Sequence, residues 1–319
     1  MLTAAIKKLS GAALVVLLSA AFVAAGAYSD SAAGTSSGKF LSFGSSARAA
    51  AMGEAYCAVA QGADSVRYNP AALVRIEANS VEVMHSNYLA GTFLDQAALA
   101  GRLGSGQAIG ISALQMSYGS IARTDETGYQ TGTAHPASLA LTGAYARKLE
   151  NLGGSAIGVS AGYVRSTIVS SARTFTASLG LLSPVFGQYE TQLAFVAENL
   201  TGRLKFDQKA DPLPMTFKLG SIMRLKPDWV LALELGVPRD NAPYAAIGTE
   251  KWFETRSGTK LAMRAGYNMR SSKDLGGLAG LAAGIGILFN SLALDYALIP
   301  FDGLGYSHKL TLGFKFGKG

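Results

Sequence analysis

The sequence predicts an all-β protein, a transmembrane antiparallel β-barrel of about fourteen strands with an N-terminal hatch inside its lumen. Four observations carry the prediction. From residue 79 onward, apolar and polar residues alternate in segment after segment, the spacing that sends successive side chains to opposite faces of a strand. Charged residues make up 15% of the chain, against roughly 25% in soluble proteins. Hydrophobic content is 49%, yet the longest apolar candidate beyond the N-terminal leader, Leu278 to Phe289, is interrupted by Gly280, Gly284 and Gly286 and is too short for a spanning helix. Finally, Gly44 to Leu73 consists mostly of Ala, Gly and Ser, so it can pack closely against a surrounding wall.

Residues 1–27 read as a signal peptide: Lys7-Lys8, an apolar run from Leu9 to Val23, and a small-residue cleavage site at Ala25-Gly26-Ala27. Residues 28–78 form the second unit. Its start, to about Lys39, is rich in Ser, Gly and Ala and is expected to be mobile. The hatch follows, with a short Ala-rich helix broken at Gly53 and a turn at Asn69-Pro70, where Pro70 biases Asn69 away from helix. Cys57, the sole cysteine, cannot form an internal disulfide and reads as a buried small filler.

Residues 79–319 supply the barrel. Strands are predicted at 79–88, 92–102, 106–118, 136–148, 154–168, 172–183, 188–200, 214–225, 228–237, 243–253, 258–269, 277–289, 291–299 and 306–317. The even count is the one bacterial barrels require. The alternation is clearest late in the chain: Trp229, Leu231, Leu233 and Leu235 share one face, and Leu310, Leu312, Phe314 and Phe316 another. Opposite these rows lie Lys218, Arg224, Glu234, Glu250, Arg264, Asp295, Lys309 and Lys315. On a lipid-facing wall a Lys or Arg near the midplane costs about 2–4 kcal/mol, so these charges are assigned to the lumen. They could line an aqueous pathway or form a salt-bridged interior that locks the hatch. If the hatch enters the first strand from the periplasm, the long connections 119–135 and 201–213 face outward. Trp229, Trp252, Tyr244, Tyr267 and Tyr296 suit an interfacial aromatic belt.

Little in the chain suggests catalysis. His85, His135 and His308 lack metal-ligand spacing. In His85-Ser86-Asn87 the serine points away from its two neighbours, and the glycines of 280–286 precede no helix. No metal or cofactor is expected. The charge is +7, or +5 without Lys7 and Lys8, and is not clustered as a nucleic-acid site would be.

The order of motifs resembles the PorV/PorQ family of outer-membrane proteins, relatives of FadL-type barrels. The strongest stretch is FLSFGSSARAAAMGEAYCAVAQGADSVRYNPAAL at 40–73. Supporting stretches are YARKL at 145–149, AENL at 197–200, DPLP at 211–214, NAPYAAIGTEKW at 241–252, LAMRAGYN at 261–268 and LDYALIPFDGLGYSHKLTLGFKFG at 294–317. One departure is Ser178, where the resemblance leads one to expect Asp.

The resemblance implies a bacterial outer-membrane location, contact with outer-membrane lipid, and a hatch carrying Asn69 and Pro70 near where it joins the wall. Asn69-Pro70 can equally be a plain turn. Arg48, Glu54 and Arg67 would pair with lumen carboxylates or lie solvated in the mouth. The implied role is non-enzymatic work in type IX secretion, receiving exported proteins through their C-terminal signal domains. Phe206, Leu213 and Pro214 would then be apolar contacts on an outer loop. The alternative is a FadL-like channel for hydrophobic small molecules, and a barrel lipid hydrolase is a third reading.

Overall fold

The computed structural model describes residues 32–270 and 277–317. The expected signal peptide, together with residues 28–31, lies outside the described residues. Fourteen strands close into one antiparallel barrel. In chain order they are β1 Asn79–Asn87, β2 Phe93–Gly104, β3 Gln107–Ser117, β4 Ala137–Leu149, β5 Ser155–Thr167, β6 Ser171–Leu182 and β7 Gln192–Glu198. The second half comprises β8 Thr216–Lys226, β9 Trp229–Pro238, β10 Tyr244–Glu254, β11 Lys260–Asn268, β12 Leu281–Phe289, β13 Leu292–Pro300 and β14 Tyr306–Phe316. β1 pairs with β2 and also with β14, which closes the cylinder and leaves no edge unpaired.

The predicted strand count and order match, with two shortened ends. The strand expected at 277–289 begins at Leu281, because Gly277–Gly280 forms a single helical turn. The strand expected at 188–200 is Gln192–Glu198. Each long connection also folds on itself, which the sequence reading did not foresee. Ile121–Thr124 pairs with Gln130–Ala134, and Arg203–Lys205 with Ala210–Pro212. We call the rim bearing these hairpins the upper rim, and the rim where β1 begins the lower rim.

Side chains sort by face as the pleat demands. Leu233, Leu235, Met263, Ile285, Leu310 and Phe314 point outward and are exposed. Trp229, Phe253, Phe289 and Phe316 mark the lower rim, and Phe93, Phe175 and Tyr306 the upper. Two expected belt residues are corrected: Tyr244 is buried, and Trp252 lies 5.5 Å from the Arg264 guanidinium, both inside the barrel. They share the inward parity of Glu250 on β10, so the apolar-outside rule is overridden by their register.

Inside the cylinder runs the chain from Lys39 to Arg75. It contains helix α1 (Ala47–Ala51), helix α2 (Ser65–Tyr68) and a 3₁₀ turn at Pro70–Arg75. The segment begins at the upper rim and descends. Ser37 N donates to the Pro212 carbonyl at 2.8 Å, while Arg75 reaches Gln192 at the lower start of β7. The stretch before Lys39, expected to be mobile, is tethered where it is described: Ser36 and Lys39 both bond Asp240.

Candidate functional site

The lumen is the only region where charged side chains, an enclosed segment and cavities meet among the described residues. Backbone geometry sets how the segment fits. α1 ends at Met52, and Gly53 turns the chain at φ +64°, where a side chain would be strained. A methyl group on Gly53 would also lie 2.7 Å from Tyr267 N. Asn69, extended as its following proline requires, caps the turn at Pro70: its Oδ1 accepts from Ala71 N at 3.0 Å, and its Nδ2 donates to the Cys57 carbonyl at 2.9 Å.

The wall receives the segment in two ways. Glycines provide clearance. A methyl group at Gly158 would sit 2.3 Å from Ala71 N, at Gly180 2.1 Å from Asn69 Oδ1, and at Gly266 2.1 Å from Gly53 N. Gly284 makes room beneath Ala51, whereas Gly286 makes room for Asp295 and Arg264. Cys57 is buried over Gly220.

Charges provide the second kind of attachment. Arg48 binds Glu250 through two hydrogen bonds, Nε to Oε2 and Nη2 to Oε1, each 2.7 Å. Arg264 donates to the same Glu250 at 2.7 Å and to Asp295 at 2.6 Å. The result is a chain of alternating charge, Arg48–Glu250–Arg264–Asp295, with Glu250 and Arg264 almost wholly buried. Bidentate pairing of this kind fixes orientation as well as distance. Glu234 accepts from Tyr56 N at 3.0 Å and Cys57 N at 2.9 Å. Lys309 donates to the Gly44 carbonyl at 2.5 Å and faces Glu54 at 3.8 Å. Within the segment, Tyr56 donates to Asp64 at 2.7 Å.

The sequence-predicted residues therefore divide. Arg48, Glu54, Glu234, Glu250, Arg264, Asp295 and Lys309 meet in the lumen. Lys218 is inward and pairs at 2.8 Å with Glu198, a residue not singled out from the sequence. Arg224 and Lys315 face the lower mouth, where Arg224 pairs with Glu190. Arg67 donates to the Leu41 carbonyl at 2.9 Å instead of a carboxylate. Thr311, another residue missed, accepts from Ala47 N at 2.9 Å. Ser178, inward as its alternation predicts, accepts from Asn199 N at 3.2 Å.

The outer-loop contacts need correction. Leu213 and Pro214, expected to be presented to a partner, are buried. The hairpin at 203–212 folds over the upper mouth, so Leu204 and Leu213 pack on Phe40 and Leu41, with Phe206 half-buried beside them. The potential triad also dissolves: His85 faces outward beside Asp95, while Ser86 is buried near Ser307.

The cavities follow from this filling. Above the segment lies a chamber of about 260 Å³ bordered by Glu54, Arg67, Glu198, Lys218, Arg270 and Lys309. Below it open two vestibules of about 250 and 830 Å³, bordered among others by Arg48, Gln61, Arg75 and Trp252. The chamber shares no lining residue with either vestibule. The segment thus divides the lumen, and the apolar part of the upper wall is occupied by Phe40 and Leu41.

A family model described as type IX secretion system protein PorV matches residues 27–221. No curated protein matches the chain significantly. Among solved structures, the Ralstonia pickettii toluene transporter TbuX has a TM-score of 0.56 at 12% identity, over 86% of this chain and 98% of that one. The Pseudomonas putida toluene transporter TodX has 0.56 at 13%, over 85% and 96%. The monoaromatic hydrocarbon channel CymD has 0.55 at 12%, over 86% and 98%. At such identities the likeness is one of fold.

Proposed function

The chain belongs to the PorV family of type IX secretion system proteins, and from that premise we propose that this outer-membrane barrel works non-enzymatically as a plugged receiver of secreted proteins at its extracellular rim. The upper rim is then the extracellular one, and the lumen segment is the hatch. The observation that carries the reading is the divided lumen. Its upper chamber is small and bordered by ionic side chains beside Phe43, Tyr88, Ile299 and Phe301, and Phe40 and Leu41 fill the apolar cluster under the hairpin. An uptake channel for hydrophobic solutes needs the opposite, an apolar pocket that the chain leaves vacant.

Contact with cargo falls to side chains that remain exposed on the upper rim. Ile121 and Tyr129 on the first hairpin and Ile168 and Val169 in the β5–β6 turn are apolar and exposed. The cargo recognised is a secreted protein bearing the C-terminal signal domain. The test is affinity capture of the tagged barrel from membranes. Secreted proteins sharing one C-terminal domain should co-purify, and far less so after Ile168→Ser with Val169→Ser. Toluene flux into proteoliposomes at an open-channel rate, with no such proteins captured, would replace this reading with solute uptake.

A further inference from the structure

The β5–β6 hairpin carries two charges from Ser155 to Leu182, both arginine, with no acidic residue. Arg165 and Arg173 are directly opposed in the strand register and both point outward, exposed. Each lies two residues from the upper end of its strand. One outward position below them, Tyr163 and Phe175 are likewise opposed, their ring centroids 5.5 Å apart. Like charges directly across a strand pair are destabilising, and neither arginine has an ion pair among the described residues. The aromatic pair places them just above the apolar band, at the depth of outer-leaflet headgroups.

Beside this hairpin the outer wall is hollowed. Val81, Ala97, Leu99, Ile111, Leu141 and Gly143 border an open apolar depression of about 510 Å³ across β1–β4. It begins at the adjoining strand, since Leu141 is the register partner of Tyr163. A cationic pair at headgroup depth and a neighbouring acyl-sized hollow complement a lipid with a phosphorylated head.

We propose that the outer wall at β5–β6 binds a phosphorylated outer-leaflet glycolipid. Arg165 and Arg173 grip the phosphate between them, Tyr163 and Phe175 lie against the upper acyl carbons, and one chain rests in the depression over Ala97, Ala113 and Gly143. Guanidinium suits this role because its planar donors match a phosphate in bidentate fashion. The site rests on the reading that the upper rim is extracellular, but not on what that rim carries.

The experiment is native mass spectrometry of the full-length purified barrel in detergent, titrated with bisphosphorylated lipid A and with its dephosphorylated form. The wild type should retain the phosphorylated lipid about tenfold or more over the dephosphorylated one, and R165Q/R173Q should abolish that preference. R165K/R173K should retain part of it. Free inorganic phosphate at equal concentration should not displace the lipid; displacement would make this an anion site and overturn the lipid assignment. Equal retention of both lipids, or unchanged preference in a glutamine double variant that still migrates as a folded barrel, would also overturn the proposal.

Discussion

The wall facing the lumen segment is built in two different ways. On β3–β6 it is small and uncharged: Gly110, Ala146, Gly158 and Gly180 meet Val66, Pro70, Ala71 and Leu73, with no ion pair to the segment among the described residues. On β8–β14 the same clearance, at Gly220, Gly248, Gly266 and Gly284, is joined by charge, with Glu234, Glu250, Arg264 and Lys309 contacting the segment or bracing its partners. Clearance alone fixes how near the chain can come, while charge pairs fix where along the wall it stops. The glycine side acts as a surface of fit and the ionic side as a latch.

Breaking the latch should have the largest effect. Glu250→Ala removes the carboxylate shared by Arg48 and Arg264, leaving two guanidinium groups buried with Asp295 alone. Loss of one partner of a buried pair typically costs about 3–5 kcal/mol. The segment should become trypsin-sensitive in the folded barrel, with ion conductance appearing in planar bilayers. An E250A barrel that stays closed and resistant would mean that the glycine side suffices.

Gly158→Val attacks the other side. A β-carbon there would overlap Pro70 C and Ala71 N, each 2.3 Å away. Backbone cannot yield as a side-chain tip can, so overpacking of about 1–3 kcal/mol is expected. The predicted signature differs from that of E250A. The turn at 70–75 should become sensitive to protease while α1 stays protected by Arg48. If both ends loosen together, the two sides are one cooperative unit and the distinction fails.

A smaller effect tests the joint between them. Asn69→Ala removes the cap on Ala71 N and the bond to the Cys57 carbonyl, a loss of about 1–2 kcal/mol. The heat-induced shift in gel mobility should occur at lower temperature, with no conductance gained. Unchanged mobility would reduce Asn69 to a turn former whose side chain contributes nothing.

How much of this was legible in the sequence follows from which properties are local. Alternation is local, so the inward assignment of Glu250, Arg264, Asp295 and Lys309 could be read directly. Their pairing could not, because Glu250 meets Arg264 through strand register and Arg48 through the path of a segment some two hundred positions earlier. Glu198 carried the signal of parity, since Phe195 and Ala197 flank it on the outward face, but the short β7 obscured the pattern. Leu213 was misplaced for another reason. A loop reads as exposed until something beneath it needs cover, and here Phe40 and Leu41 do.

The mildest prediction concerns the upper end of the segment, where Ser37 bonds Pro212, Phe40 and Leu41 pack under the hairpin, and Asp240 adds an ionic tether. Asp240 lies in the connection after β9 and accepts from Lys39 Nζ at 2.7 Å and from Ser36. Burial pushes its carboxyl up, but these two donors outweigh that and hold it below its ordinary 3.8. A carboxyl depressed in the tethered state binds a proton more readily once released. The tether is therefore fully present above about pH 4 and is lost as pH falls through the depressed value. A spin label at Thr35→Cys should be immobilised at pH 7 and gain mobility at pH 3, while Asp240→Asn should leave it mobile at both. Equal immobilisation in Asp240→Asn at pH 7 would assign the upper end to the packing of Phe40 and Leu41, extending the fit side to the whole segment.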